Sequence, residues 1–249
     1  MKKRIIIGDP HGRYGYVKNI YNKELPDEVI ILGDYFDSFT IYSADQRYSY
    51  DQIIKLRDEH LDKGLGRFIM LIGNHDMHYM SESFGRCSGW NYETNEYARY
   101  VLVKHFHEKK LQISFIDETN KTIYTHAGLS QKWFDKYCDS LEDIDKQLYE
   151  AYQFTFKDGG DYFGSSIWNS PLWIRPEGLK KCPYKDKDGI IWNQVFGHTE
   201  PDTPIHFKID DSDFYGIDCI YKFYLIEEID NNGVIISRKL GDTPSFGDS

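Results

Sequence analysis

The sequence has few cysteines and no closely spaced cysteine pair. Its four cysteines are Cys87, Cys138, Cys182 and Cys219, and no two of them form a Cys-x-x-Cys motif. Spacings this wide argue against a zinc ribbon and give no disulfide framework. We therefore expect reduced thiols, as in a cytoplasmic protein.

The sequence also lacks a long apolar run. At the N-terminus, MKKRIIIGDP, the apolar stretch covers only Ile5 to Ile7, whereas a signal peptide needs a longer apolar region and a small-residue cleavage site. No other run approaches the ~20 residues of a membrane-spanning helix. We therefore expect neither secretion nor membrane insertion, but a cytoplasmic location without a membrane partner.

Positive charge is scarce as well. The 30 Lys and Arg residues face 40 Asp and Glu residues, which gives a formal net charge of −10. Because this field would repel a duplex, a long nucleic acid is not expected as a substrate. The 20 Tyr and 15 Phe residues indicate core and rim packing rather than a base-stacking platform, because no basic stripe accompanies them.

A length of 249 residues suits one compact domain. With no internal repeat or linker, the sequence predicts a single domain over residues 1–249, in which residues 242–249 form a loose tail. Near the C-terminus, Tyr221 to Ile229 and Gly233 to Leu240 flank an Asn-Asn-Gly turn. This pattern predicts a β-hairpin at a sheet edge.

Five short apolar runs each lead into a glycine-containing turn, which is typical of strands covered on both faces. The runs are Ile5–Ile7, Val29–Leu32, Phe68–Ile72, Thr122–Thr125 and Trp192–Phe196. Helical patterns cover Ala44–Lys63, Asn95–Lys109 and Ser140–Tyr152. The alternation predicts an α/β fold with much parallel sheet, in which ligands gather at the carboxyl ends of the strands.

The five turns carry six potential metal ligands. They are Asp9, His11, Asp34, Asn74, His126 and His198. Each one alone has an ordinary explanation as a turn residue or a structural histidine. Together, two carboxylates, one amide and three imidazoles make a mixed nitrogen and oxygen donor set that suits two transition-metal ions.

The turns also resemble the five signature blocks of a known superfamily. GDPHG, GDYFD, GNHD, THAGL and GHTE stand in this order and resemble the blocks of the calcineurin-like metallophosphoesterases over roughly residues 5–220. The THAGL and GHT forms are similar to the phosphoprotein-phosphatase branch, which includes serine/threonine protein phosphatases and symmetrical diadenosine-tetraphosphate hydrolases. Pro171 to Pro176, PLWIRP, and Ile217 to Cys219, IDC, resemble two further segments of that branch.

The resemblance implies a fold and a metal centre. The expected fold is a β-sandwich of two mixed sheets flanked by helices, with the active site at the carboxyl ends of the strands. Two divalent ions are implied, Mn²⁺ first and Fe or Zn²⁺ as alternatives. The implied ligands are Asp9, His11 and Asp34 for one ion, and Asp34, Asn74, His126 and His198 for the other. A hydroxide bridging the ions would attack phosphorus directly.

The resemblance also implies roles for residues that do not bind metal. His75 would protonate the leaving oxygen, and Asp37 would hold its imidazole in the cationic form. Arg175 would bind the non-bridging phosphate oxygens as a planar fork. Asn74 would contact the substrate in addition to its metal.

The sequence departs from the branch pattern in two places. Ser38-Phe39 follows Asp37 where the branch has Arg-Gly, so one phosphate-binding arginine is missing, and Arg13 or Arg47 would have to replace it. Glu200 stands where the wider superfamily has a second histidine, and we interpret it as a loop residue. Five histidines match no block and are interpreted as surface or packing residues: His60, His78, His105, His107 and His206.

These observations predict a dinuclear-metal-dependent phosphatase that acts on phosphomonoesters or dinucleoside polyphosphates. The substrate would be a phosphorylated small molecule, a nucleotide or a phosphoprotein. Three alternatives stay open: a serine/threonine protein phosphatase, a phosphodiesterase or nuclease, and a non-catalytic binding module on the same fold. The segments between the blocks, 39–50, 77–93 and 154–187, carry no motif that selects among them, and nothing specifies the oligomeric state.

Overall fold

The computed structural model describes residues 1–81, 84–147 and 170–244. Two five-stranded mixed sheets form the centre of the fold, with strand orders β10-β9-β1-β2-β3 and β4-β5-β6-β8-β7. The strands are β1 Lys2–Ile7, β2 Glu28–Ile31, β3 Phe68–Met70, β4 Ser114–Asp117, β5 Thr122–Thr125, β6 Asn193–Phe196, β7 Ile205–Ile209, β8 Ser212–Gly216, β9 Phe223–Ile229 and β10 Ile235–Asp242. The predicted sandwich of two mixed sheets flanked by helices is confirmed.

Helices cover the outer faces of the sheets. Within the described ranges they are α1 Tyr14–Glu24, α2 Ser43–Asp62, α3 Asn74–Met80, α4 Tyr92–His107, α5 Gln131–Tyr137 and α6 Pro176–Lys181, with a 3₁₀ turn at Leu141–Asp143. None of these helices is long and apolar enough to span a lipid bilayer.

Side chains of the central strands alternate between two apolar clusters. Ile6 of β1 and Ile30 of β2 face the second sheet and share a buried cluster with Val195 of β6. Their neighbours Ile5 and Ile31 face the other way and belong to the cluster that includes the helix residues. Burial on both faces explains why these strands are continuous apolar runs rather than alternating ones.

Parallel pairing brings the site loops to one edge. In the first sheet β1 pairs in parallel with β2, and β2 with β3. In the second sheet β5 pairs in parallel with β6, and β6 with β8. The carboxyl ends of parallel neighbours meet at the same edge of a sheet, which is where ligands bind in α/β proteins.

The GNHD block is helical rather than extended. On an extended backbone Asn74 and His75 would point in opposite directions, but both lie in the first turn of α3. Asp76, the third helical residue, accepts the backbone N–H of Gly73 at 2.9 Å and so satisfies a donor at the helix start. The helix begins after a connection of three residues that follows β3.

The C-terminal hairpin is present, with β9 paired antiparallel to both β1 and β10. Strand β10 continues to Asp242, which is opposite Phe223, so the predicted tail at 242–249 begins too early. Residues 245–249 lie outside the described residues. The expected helix at Ser140–Tyr152 begins with a capping box between Ser140 and Asp143, and its residues 148–152 lie outside the described part. The single-domain assignment over 1–249 stays a prediction.

A buried arginine ties the two sheets together. Arg4 on β1 is 3% exposed, and its guanidinium contacts Glu28 at 2.8 Å and both Asp117 and Glu227 at 3.0 Å. It also donates to the hydroxyl of Tyr124 at 3.1 Å. Since Asp117 and Tyr124 belong to the second sheet, this one side chain neutralises carboxylates across the sandwich.

We predict that Arg4→Met lowers the free energy of unfolding by about 3–5 kcal/mol, because it leaves buried carboxylates without their cation. Urea denaturation followed by circular dichroism measures this change. Lys2→Met, on the exposed end of the same strand, is the matched control and should change stability by no more than about 0.5 kcal/mol. Equal stability of the two variants would contradict the assignment.

Candidate metal centre

The six expected ligands converge from five loops of both sheets. Asp9 and His11 follow β1, Asp34 follows β2, and Asn74 follows β3 at the start of α3. In the second sheet, His126 follows β5 and His198 follows β6. All are buried except His11, which is half-buried. The positions that the sequence selected thus lie together at one edge of the sandwich.

Three of these ligands, together with Asp37, have left-handed backbone conformations. The φ values of His11, Asp34, Asp37 and His198 are 43°, 59°, 67° and 65°. A non-glycine residue in this region costs about 1–2 kcal/mol, and such strain persists mainly at functional sites, where the surrounding structure holds it in place.

Two glycines of the blocks are required by close approach. A Cβ atom on Gly73 would lie 2.0 Å from Oδ1 of Asp34, and a Cβ atom on Gly197 would lie 2.1 Å from Oδ1 of Asp9. These glycines let the carboxylates press against the backbone of the neighbouring loop. Gly73 and Gly197 are therefore needed for packing, because a side chain at either position would collide with a ligand from another block.

Asp34 lies at the centre of the ligand set. Its Oδ1 accepts a hydrogen bond from the backbone N–H of His75 at 2.8 Å. Its Oδ2 lies 3.4 Å from Nε2 of His126 and 3.8 Å from Nε2 of His11. One carboxylate oxygen is thus shared between imidazoles that come from different sheets.

The two imidazoles present lone pairs to this oxygen. Nδ1 of His126 donates to the carbonyl of Leu32 at 2.9 Å, and Nδ1 of His11 donates to the carbonyl of Phe36 at 2.6 Å. Burial lowers the pKa of His126 to about 3 and that of His11 to about 4, so both rings are neutral at pH 7. A neutral imidazole that donates Nδ1–H to a carbonyl and offers Nε2 is the usual form of a metal ligand.

Asn74 closes the second half of the centre. Its Oδ1 lies 2.7 Å from Nε2 of His126 and 2.9 Å from Nδ1 of His198. Burial lowers the pKa of His198 well below its usual value. Because Nδ1 of His126 carries the proton, its Nε2 faces the oxygens of Asn74 and Asp34 without a hydrogen between them. A cation between these atoms would reduce the repulsion between their lone pairs.

Asp9 supplies a buried oxygen atom that lacks a hydrogen bond. Its Oδ2 accepts from the backbone N–H of His198 at 3.0 Å, but its Oδ1 is buried and has no hydrogen-bond partner among the described residues. Ligand atoms of Asp9, Asp34 and His126 all lie within 4.8 Å of one another. Burial, with the neighbouring carboxylates adding to it, raises the pKa of Asp9 and of Asp34 well above the usual value. Oxygen and nitrogen donors collected in this way fit divalent transition metals.

A second cluster surrounds Asp37, next to the metal ligands. Nδ1 of His75 lies 2.9 Å from Oδ2 of Asp37, and Nε2 of His78 lies 2.8 Å from the same oxygen. The hydroxyl of Tyr79 donates to Oδ1. Burial raises the pKa of Asp37, but hydrogen bonds from His75, His78 and Tyr79 outweigh it, so the pKa is lowered overall. The carboxylate therefore stays ionised at neutral pH.

His78 and Tyr79 are functional neighbours that the sequence reasoning missed. His78 is buried rather than on the surface, and its Nδ1 accepts the backbone N–H of Cys87 at 3.0 Å. This bond leaves the proton on Nε2, which faces Asp37. The only local signal is the spacing of His75, His78 and Tyr79 on one short helix, which places them on neighbouring faces.

Two further aspartates were also overlooked. Asp76 accepts backbone N–H groups of Asp34 at 2.7 Å and Tyr35 at 2.9 Å, and so fixes the loop after β2 against α3. Asp218, in the segment after β8, lines the cavity beside the ligands. Burial raises the pKa of each of these two carboxyls to about 7. The GNHD and IDC segments contain them, but neither segment reveals these contacts.

The remaining candidates are distributed as follows. Arg175 is exposed, and one of its guanidinium nitrogens donates to the carbonyl of His198 at 3.0 Å and to the hydroxyl of Thr199 at 3.1 Å. Glu200 is exposed and accepts from the hydroxyl of Tyr221, as suits a loop residue. The guanidinium of Arg47 stands 5.7 Å from the ring of Tyr97.

Three histidines outside the blocks have structural surroundings. His60 is buried and contacts the hydroxyl of Tyr21 at 2.9 Å, and His105 is buried and contacts that of Tyr50 at 2.8 Å. His206 is exposed and lies 2.7 Å from Asp213 on the neighbouring strand. These contacts agree with packing and surface roles.

A cavity of about 330 Å³ opens beside the ligand set. Asp9, His11, Asp37 and His75 line it, and so does Arg13. Two imidazoles, two carboxyl groups and one guanidinium therefore surround one small space beside the expected cation site. A phosphate-sized group fits such a volume.

One solved structure supports this architecture. A serine/threonine phosphatase from Saccharomyces cerevisiae, with similarity to human phosphatase PP5, superposes with a TM-score of 0.58 at 14% identity, covering 99% of this chain and 82% of that chain. A protein from Thermus thermophilus gives a TM-score of 0.42 at 8% identity, over 97% and 98% of the two chains. At these identities the first likeness concerns the fold alone. No curated protein gives a significant sequence match.

The sequence itself gives the family. The sequence model of the calcineurin-like phosphoesterases matches residues 2–230, a range that contains all five blocks and every strand from β1 to β9. Because this match extends over nearly the whole chain, the protein belongs to the calcineurin-like phosphoesterase family.

Proposed function

We propose that this protein is a phosphatase that depends on two divalent metal ions and hydrolyses phosphomonoesters or dinucleoside polyphosphates. The ligands would be those expected from the sequence: Asp9, His11, Asp34, Asn74, His126 and His198. The observation that carries the proposal is the position of Asp34, whose Oδ2 lies between the unprotonated Nε2 atoms of His126 and His11 at 3.4 and 3.8 Å. A carboxylate shared in this way suits a bridging ligand.

When bound, the two ions would supply Lewis acidity, neutralising charge on the phosphoryl oxygens and lowering the pKa of the attacking water. Mn²⁺ is our first expectation, and Fe and Zn²⁺ share these donors. The protein would contribute a rigid and largely dry ligand shell, in which Asp76 and the backbone carbonyls of Leu32 and Phe36 hold the ligands in place. Preorganised groups of this kind cost little reorganisation during the reaction.

His75 would donate a proton to the leaving oxygen. Its Nδ1–H is directed at the ionised carboxylate of Asp37, 2.9 Å away, so its Nε2 is the nitrogen left for the substrate. The ring stands edge-on to that of His11, with centroids 5.4 Å apart. The proposed acid therefore lies next to a proposed metal ligand. This proximity is needed because the attacking water and the leaving group act on the same phosphorus atom.

Asp37 would act as the orienting group of this acid. His78 and Tyr79 also contact its carboxylate, so the carboxylate keeps its charge and orientation whether or not His75 is protonated. Arg175 would add a fork for the non-bridging oxygens. The acidic net charge of −10 supports small phosphate esters over long nucleic acids as substrates.

We expect the wild-type protein to hydrolyse p-nitrophenyl phosphate when Mn²⁺ is added, and diadenosine tetraphosphate or phosphomonoesters faster than bis(p-nitrophenyl) phosphate. Asp34→Asn should lower kcat/KM by about a thousandfold or more, because it weakens both metal sites at once. Steady-state assays over Mn²⁺, Fe²⁺ and Zn²⁺ measure this. Absence of turnover with every metal and ester, including a phosphopeptide, would favour a binding module.

His75→Asn should retain metal binding and lower kcat by about 10²–10⁴-fold with poor leaving groups such as alkyl phosphates, which need protonation. The loss should be much smaller with p-nitrophenyl phosphate, whose leaving group is stable as an anion. His206→Asn, at an exposed strand position, is the matched control and should match the wild type. A loss independent of the leaving group would rule out the acid role.

Added Mn²⁺ should raise the melting temperature more at pH 8 than at pH 5.5. The pKa values of Asp9 and Asp34 are raised by burial, so in the metal-free protein their contribution to stability is full at low pH and is lost as pH rises through the raised values. Protons compete with the metal at pH 5.5 and leave at pH 8. Thermal-shift measurements with and without Mn²⁺ test this, and an equal shift at both pH values would contradict it.

A further inference from the structure

Acidic side chains outnumber basic ones in the walls of the cavity beside the candidate metal centre. Four carboxyl groups line it, those of Asp9, Asp37, Glu200 and Asp218. Among the described lining residues, only Arg13 carries a permanent positive charge. A phosphate ester that enters this space brings further negative charge. A positively charged side chain that is not itself a metal ligand would therefore strengthen the binding of the ester.

The backbone places Arg13 firmly at the rim of this cavity. It is the residue directly before α1, and its N–H bonds to the carbonyl of Pro10 at 2.9 Å. The N–H groups of His11 and Gly12 bond to the carbonyls of Asp34 and Tyr35, each at 2.9 Å. The loop that carries Arg13 is therefore fastened to the loop that carries the central carboxylate.

Most N–H donors of the Arg13 guanidinium have no partner among the described residues. Within the described ranges it makes one hydrogen bond, to the carbonyl of His11 at 3.3 Å, and it forms no ion pair there. By contrast, the guanidinium of Arg4 is paired with three carboxylates. A guanidinium has five N–H donors, so most of those on Arg13 are free to meet an anion.

Two arginines, Arg13 and Arg175, influence the pKa of Asp218. Burial raises the pKa of Asp218 to about 7, the charge of Glu200 adds to this, and the charges of Arg175 and Arg13 oppose it. Both guanidinium groups therefore lie within electrostatic reach of one carboxyl at the cavity wall. Arg13 contacts the backbone of His11, and Arg175 contacts that of His198, so each adjoins a different part of the ligand set.

We propose that Arg13 binds the non-bridging oxygens of the substrate phosphate from the His11 side of the site, while Arg175 binds from the His198 side. Arg13, and not Arg47, thus takes the place of the arginine that is missing after Asp37. A planar fork recognises two oxygens at once, so of the two proposed substrate classes we favour the phosphomonoester, whose three non-bridging oxygens leave more acceptors for both guanidinium groups than a dinucleoside polyphosphate does. This inference rests on the proposed phosphatase function.

The test compares Arg13→Gln, Arg13→Lys and Arg47→Gln, each loaded with Mn²⁺. Calorimetric titration with inorganic phosphate gives Kd, and assays with p-nitrophenyl phosphate give KM and kcat. We expect Arg13→Gln to weaken phosphate binding and raise KM by about tenfold, as for loss of one charged hydrogen-bonding group. Arg13→Lys should recover part of this affinity, and Arg47→Gln should match the wild type.

The substrate class gives a second readout. For bis(p-nitrophenyl) phosphate, which has one negative charge and two free oxygens, Arg13→Gln should change kcat/KM less than for the monoester. Phosphate binding by Arg13→Gln equal to that of the wild type, or an equal loss in Arg47→Gln, would overturn the inference. If Arg13→Gln fails to fold, Arg13→Lys decides, since unchanged phosphate affinity in that variant would also overturn it.

Failure of the proposed function would look different. A wild-type protein that binds phosphate but hydrolyses no ester would refute the phosphatase proposal, while the Kd comparison would still decide the role of Arg13. A wild-type protein that does not bind phosphate would overturn the inference about Arg13 directly.

Discussion

The structure depends on one electrostatic constraint: buried carboxylates and neutral imidazoles point their lone pairs at a common space. Asp9 and Asp34 are 2% and 1% exposed, and Nε2 of His126 faces two oxygens with no hydrogen between them. A buried carboxyl group is costly to ionise unless an opposite charge accompanies it, and burial accordingly raises the pKa of both carboxyls well above the usual value. A divalent cation would supply that opposite charge, so this donor set suits a metal ion.

Asp34 links the structural and the chemical parts of the site. One of its oxygens faces histidines of both sheets, and the other accepts the backbone N–H of His75. The backbone of the proposed acid is therefore held by the same side chain that would bridge the metals, while Asp37 orients its imidazole. Asp76 in turn holds the loop of Asp34 through two backbone hydrogen bonds. The strained φ values of Asp34 and Asp37 are offset within this network.

Much of the fold and of the ligand set could be predicted from the sequence, for physical reasons. Strands buried on both faces are continuous apolar runs, so β1, β2 and β5 are evident from Ile5–Ile7, Val29–Leu32 and Thr122–Thr125. What the sequence could not provide depends on contacts between distant segments. The role of His78 requires the N–H of Cys87 and the carboxylate of Asp37, and the choice of Arg13 over Arg47 requires the position of the cavity.

We propose that six side chains surround two cations that both contact Asp34. Anomalous scattering at the manganese edge, from crystals grown with Mn²⁺, tests this arrangement. We expect two strong peaks, one beside Asp9 and His11 and the other beside Asn74, His126 and His198, with Asp34 within reach of both. The same side chains around a space with no anomalous peak, or peaks only elsewhere on the protein, would rule the arrangement out.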